Sequence, residues 1–344
     1  MSTDNNGRTD RIAPVELGTG GPRTGVQGLG CMGMSFAYGP TDATEARATL
    51  ERALELGVTL YDTADMYGLG ENEKFLAPFV RAHRDEIVLA TKYGIVLDPD
   101  DPSYRGIRND RSYLRECVEG SLRRLGVDTI DLYYMHRRDP EVPIEETAGA
   151  MAELVREGKV RHLGLSEVTG DELRAAHAEH PIAAVQSEWS LFSRDVEDTV
   201  VPAAAELGVA FVPYSPLGRG FLTGSFVNAD TELTTDDFRK TMPRFTGDNA
   251  AANAELLAPV RRIAERRGAT LGQIALAWVQ QRAGAHGLPV VPIPGTRKRT
   301  RIEENTAATR LELTADELAL LEPIAGRVAG TRYPDMRFTS AGRE

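Results

Sequence analysis

The sequence predicts an α/β protein, a (β/α)8 TIM barrel with long loops on the face where its strands end, and three observations carry that prediction. Short β-type apolar runs alternate with longer amphipathic stretches across most of the 344 residues, which is the pattern of a parallel sheet with crossover helices. There are eight such pairs, enough to close a barrel. Several runs end on reactive side chains: Leu60-Tyr61 leads into Asp62, Leu89-Ala90 into Thr91-Lys92, and Tyr134-Met135 into His136. In a parallel barrel all strand ends open on one face, so these groups would share one mouth.

In chain order, a strand near 26–31 pairs with a helical pattern near 42–56, then 58–61 with 71–82, 87–91 with 110–125, and 130–135 with 145–157. The series continues with 160–165 and 170–178, 184–187 and 199–207, 209–213 and 251–283, and 289–292 and 299–309. Within 251–283, residues 270–283 read as a second helix, and 314–326 reads as a C-terminal one. Residues 1–11 are expected to be a disordered tail and 12–326 a single barrel domain. Residues 327–344 form a C-terminal tail whose Tyr333, Met336 and Phe338 are expected near the mouth. Between Gly218 and Asn249 the periodicity fades into a long loop over one face, a length that is usually functional or disordered in compact domains. The alternative architecture is an open doubly wound sheet. Gly28-Leu29-Gly30-Cys31-Met32-Gly33 has the spacing of its dinucleotide fingerprint, but no clear helix starts behind it, so these glycines are read as shaping a loop.

Composition narrows the function. Hydrophobic content of 41% and charged content of 26% are those of a soluble globular protein, and no apolar run approaches the roughly 20 residues of a membrane span. The polar first residues lack the apolar core of a secretory signal, which leads to the expectation of a cytoplasmic protein. A net charge of −11 argues against nucleic acid, which needs a cationic footprint. Arg297-Lys298-Arg299-Thr300-Arg301 reverses the sign locally, as suits a small anion. Cys31 and Cys117 are too few for a disulfide scaffold and read as buried small hydrophobes.

Asp62, Tyr67, Lys92 and His136 make a coherent catalytic set. A free phenol titrates near ~10, so Tyr67 as a general acid calls for a neighbouring cation. Lys92 would supply it and lower the phenol, Asp62 would hold the lysine, and His136 would polarise a carbonyl oxygen. Asp65 and Tyr93 lie beside the site as supporting groups. Each residue alone has a duller reading as a cap, a core side chain or a surface charge; their joint placement at successive strand ends does not.

The segments Asp62-Thr63-Ala64-Asp65-Met66-Tyr67-Gly68, Thr91-Lys92-Tyr93-Gly94 and Met135-His136-Arg137 resemble those of the aldo-keto reductase superfamily, in particular its bacterial and plant branch that also resembles potassium-channel β subunits. The similarity extends from about Val15 to Asp316. It continues through Gly164-Leu165-Ser166, Val185-Gln186-Ser187-Glu188, Pro213-Tyr214-Ser215-Pro216-Leu217-Gly218-Arg219-Gly220, Ile293-Pro294-Gly295-Thr296 and Glu304-Asn305. The resemblance implies reduction of aldehydes or ketones by a nicotinamide cofactor, with Asp62, Tyr67, Lys92 and His136 as a tetrad. It further implies that Ser166 and Gln186 read the nicotinamide carboxamide while Tyr214 stacks on the ring. Met32, Ser215, Leu217, Gly218 and Gly220 fall near the cofactor, with Arg219 assisting at the pyrophosphate. Gly295, Thr296, Arg297 and Arg301 would meet the adenosine phosphate, and Glu304 and Asn305 the adenine, so NADPH is expected over NADH.

Two departures stand out. Glu167 replaces a common Asn, and Gly295 replaces a lysine of other branches, which shifts weight onto Arg297 and Arg301. For substrate, Met34, Phe36, Tyr93, Trp189 and the loop after Gly220 are expected to line an apolar mouth for a small carbonyl compound, with a monomer the simplest assembly. A cofactor-binding regulatory or redox-sensing subunit like the channel β subunits stays as the alternative, and a barrel isomerase as a third class.

Overall fold

A computed structural model describes residues 11–98, 100–101, 105–235 and 237–344; the expected loose tail, apart from Arg11, lies outside them. Seven parallel strands form one sheet: β1 (Leu29–Gly30), β2 (Leu60–Asp62), β3 (Val88–Tyr93), β4 (Ile130–Met135), β5 (Val160–Ser166), β6 (Ile182–Glu188) and β7 (Ala210–Tyr214), hydrogen-bonded in that order. The expected eighth strand is irregular because Pro289, Pro292 and Pro294 remove ladder donors. It still closes the barrel, through parallel bridges Phe211↔Val290 and Gly30↔Gly295.

The glycines near the first strand belong to this seam rather than to a loop. A Cβ on Gly28 would sit 2.9 Å from Ile293 Cγ2, and one on Gly30 2.9 Å from the Ile293 carbonyl oxygen.

Helices follow the strands as the periodicity predicts: α1 (Ala43–Glu55), α2 (Glu71–Ala82), α3 (Arg111–Leu125), α4 (Ile144–Arg156), α5 (Gly170–Glu179), α6 (Val200–Leu207), α7 (Leu271–His286) and α8 (Arg299–Ala307). The expected 251–283 helix breaks before α7. Gly268 ends Ala258–Arg267 in a left-handed conformation (φ 60°), and Thr270 opens α7 with a capping box. The 314–326 helix stops at Leu321, ahead of Pro323. The 218–249 segment is largely built of short helical turns, anchored by the packed rings of Phe221, Phe226 and Phe245. Among the described residues, no helix is long and apolar enough to cross a membrane.

Strand alternation builds the interior. Leu60, Val88, Ala90, Leu132, Tyr134, Ala184, Ala210, Val212, Val291 and Ile293 pack inside the barrel, and Leu17, from an antiparallel hairpin (Pro14–Glu16 with Arg23–Gly25), joins them. Two residues further along the same faces stand Asp62, Lys92, His136, Gln186 and Tyr214. The polar layer is therefore the next step of the alternation that fills the core. The residues between, Tyr61 and Tyr133 among them, point outward into the helix layer.

Candidate active site

Asp62 and Lys92 are 3% and 0% exposed, and the ammonium is satisfied by the Asp62 carboxylate and by the Thr63 carbonyl at 2.8 Å. The other Asp62 oxygen accepts from Gln186 Nε2 at 2.9 Å. Lys92 Nζ lies 5.6 Å from the centre of the Tyr67 ring. The His136 ring meets Tyr67 edge-on at 5.9 Å, and Phe36 stacks on its far side at 6.2 Å. The tetrad expected from sequence is thus gathered in one place.

Its electrostatics differ from expectation. Burial pushes the Tyr67 phenol well above its usual range, and Asp62 adds to the rise. Arg137 pulls the other way without reversing the rise. Lys92 itself is pulled down by burial, against the stabilising pull of Asp62. Burial, then Arg137 and Lys92, hold His136 well below its usual value, so the imidazole is neutral, with Nδ1 buried and unpartnered among the described residues.

These groups open on a cavity of about 790 Å³. Met32, Phe36, Asp62, Tyr67, His136, Gln186, Tyr214, Ser215, Leu217 and Gly220 line it, together with Gly295, Thr296, Arg297, Arg301, Glu304 and Asn305. Ser166 and Gly218 lie just behind its wall: the Ser166 hydroxyl accepts from Arg137 at 3.3 Å. Between Ser215 and Gly220 the backbone turns left-handed at Ser215 (φ 48°), Gly218 (53°), Arg219 (54°) and Gly220 (94°). A backbone so curled presents amide groups to an anion. The N-terminus of α8 has no cap from Lys298 and carries Arg299 and Arg301 in its first turn; it already draws in the Glu45 carboxylate, which accepts from the Arg299 amide at 2.9 Å, and is a second place where an anion is favoured. Both features fit a phosphate-bearing cofactor.

Three of the four residues expected to bind substrate are placed elsewhere. Tyr93 follows the inward Lys92, so it points outward and stacks on Tyr133 in the core at 5.4 Å. Met34 packs with Leu29 and Leu76 under the first strand. Trp189 is buried against Phe211 at 4.9 Å, with its indole donating to Glu197. Only Phe36 reaches the cavity.

Arg297 is spent on the chain itself, donating to the carbonyls of Gly33, Tyr38 and Gly39 and to Thr41. Arg219, expected near the pyrophosphate, is paired with Glu188 at 2.9 Å and donates to Tyr333.

Further residues line the cavity, some from segments expected at the mouth and some not. Ile95, Gly106 and Ile107 come from a small hairpin after β3, and Phe238 and Arg239 from the 218–249 segment. The C-terminal tail contributes Tyr333, Pro334, Phe338 and Thr339, but not Met336. That tail is pinned by the unusual Glu167. Its carboxylate takes Tyr214 Oη at 2.7 Å, Arg332 at 3.1 Å and the Ser340 amide at 3.0 Å. Burial opposes the charge, yet Arg332 and then Arg137 bring the Glu167 carboxyl down to about 2.

Known proteins share this arrangement. The chain is similar to the glycerol dehydrogenase of Gluconobacter oxydans (28% identity over 95% of this chain and 98% of that one, TM-score 0.78) and to an aldo-keto reductase of Bacillus halodurans in its holo form (26%, 95% and 100%, TM-score 0.71). It is also similar to a thermostable aldo-keto reductase in complex with the inhibitor epalrestat (28%, 91% and 100%, TM-score 0.68). The aldo/keto reductase family model matches residues 28–325, so the chain belongs to the aldo/keto reductase family, oxidoreductases that act on carbonyl compounds with a nicotinamide cofactor.

Proposed function

We propose that this protein reduces aldehydes or ketones to alcohols with NADPH. The observation that carries the reading is the convergence of Tyr67, His136 and Asp62, paired with Lys92, on one cavity that is also lined by Arg297, Lys298 and Arg301. The cofactor supplies a hydride to the carbonyl carbon. Tyr67, fully protonated at neutral pH because its phenol is raised, donates the proton to the carbonyl oxygen. Neutral His136 hydrogen-bonds that oxygen and stabilises charge as it builds, without competing as the acid. Asp62 and Lys92 act together as a buried pair that fixes the floor of the site. Gln186, held by Asp62, is placed to read the carboxamide, and the Tyr214 ring, held through its hydroxyl by Glu167, offers a flat wall beside it.

The preference for NADPH rests on Arg301. Its side chain is 51% exposed and, among the described residues, pairs with the nearby Glu304 at 2.6 Å, so it is free to exchange that partner for a phosphate, whereas Arg297 is occupied. A turnover screen of aldehydes, ketones and quinones with NADPH and NADH side by side tests the reading; absence of cofactor oxidation with every carbonyl would sink it. Arg301→Ala is expected to weaken NADPH binding by about tenfold in a fluorescence titration and to leave NADH nearly unchanged. Equal affinity of variant and wild type for NADPH would remove the basis for that preference.

A further inference from the structure

Arg137 is a half-buried cation of the cavity. Arg219, Arg239 and Arg301 each face a carboxylate, and Arg297 is spent on backbone carbonyls. Arg137 lines the cavity beside His136, yet among the described residues it forms no ion pair. Its hydrogen bonds all leave from Nη1, to the His136 carbonyl at 2.7 Å and to Ser166 Oγ at 3.3 Å, and its carbon Cζ sits 5.9 Å from the Tyr214 ring centre. One edge of the guanidinium is anchored, which fixes its orientation, and the remaining donors have no acceptor among the described residues. Glu167, the acid whose charge reaches it, is already saturated by Arg332, Tyr214 and Ser340. Arg137 is half-buried and shares the pull of Glu167 with Arg332, and a planar fork facing a cavity matches a carboxylate.

We infer that Arg137 binds a carboxylate attached to the reacting carbonyl, which makes 2-oxo carboxylates the substrate class of this site. This rests on the reductase reading above. The carbonyl oxygen would lie between Tyr67 and His136, and the carboxylate on the free edge of Arg137, the neighbour of His136 in sequence. The remaining substituent would extend among Phe36, Ile107 and Phe338, the apolar lining of the mouth.

The test compares benzoylformate with its methyl ester, which keeps the ketone and the ring but removes the charge. Arg137→Met is expected to lower the ratio of kcat/KM for acid over ester by about tenfold to a hundredfold, with Arg137→Lys in between. An unchanged ratio overturns the inference, as does a variant whose main loss is in NADPH affinity, since Arg137 would then serve the cofactor. If neither compound is turned over by the wild type, the reductase reading fails by itself. Calorimetric titration with benzoylformate then decides Arg137: binding lost in Arg137→Met sustains the assignment, and equal or absent binding in both proteins overturns it.

Discussion

Asp62 accepts from Lys92 on one oxygen and from Gln186 on the other, and this double duty makes it the organiser of the floor more than a modifier of the phenol. Two residues before Tyr67, Asp65 shows what burial does to an acid with less help. Its amide bonds the Lys92 carbonyl at 3.1 Å, while Oδ1 has no partner among the described residues. Burial, with Glu73 adding to it, pushes the carboxyl up to about 7 from an ordinary 3.8. A folded-state value above the unfolded one favours the protonated form, so Asp65 contributes fully below about pH 4, and that contribution is lost as pH rises through 7. Asp65→Asn should therefore flatten the fall in stability between pH 5 and 8, by an amount on the order of a few kcal/mol. Denaturant unfolding across that range checks it, and parallel pH profiles for variant and wild type would contradict it.

At the scale of elements, the C-terminal tail is held as firmly as a helix, through a residue outside the repeating pattern. Glu167 is itself in a left-handed conformation (φ 53°) at the end of β5. It joins Tyr214 on β7 to Arg332 and Ser340 of the tail. Arg332 is 1% exposed, and among the described residues Asp195 is its other carboxylate partner. Removing the charge at Glu167 leaves a buried guanidinium poorly compensated, a change that costs about 3–5 kcal/mol in comparable sites. Glu167→Gln is expected to lower the melting temperature by several degrees and to open residues 330–344 to proteolysis before the barrel unfolds. A variant that melts and resists protease like the wild type would show that the tail is held by packing alone.

For the whole molecule, the barrel was legible because one rule, alternation along a strand, sets both the core and the polar layer above it. Leu60 and Asp62, Val88 to Lys92, and Leu132 to His136 can be read off directly. What escaped the reading follows no local period. The closing strand was expected at 289–292, but no pattern shows that its prolines leave it irregular and joined only by bridges to Phe211 and Gly30. Tyr93 and Trp189 looked like site residues because aromatic side chains beside active groups suit a substrate wall, but the same alternation that points Lys92 inward turns Tyr93 away. Glu167 and Arg332 meet across a separation of 165 residues, and the absence of an ion pair at Arg137 among the described residues is something no sequence displays.

The central claim, that Tyr67 is the proton donor of an NADPH-dependent carbonyl reduction, is tested most directly by rapid mixing of the NADPH-loaded protein with an aldehyde that the wild type reduces. Tyr67→Phe should bind NADPH with unchanged affinity and oxidise it about 10²–10⁴-fold more slowly. A variant that consumes NADPH at the wild-type rate would contradict the account.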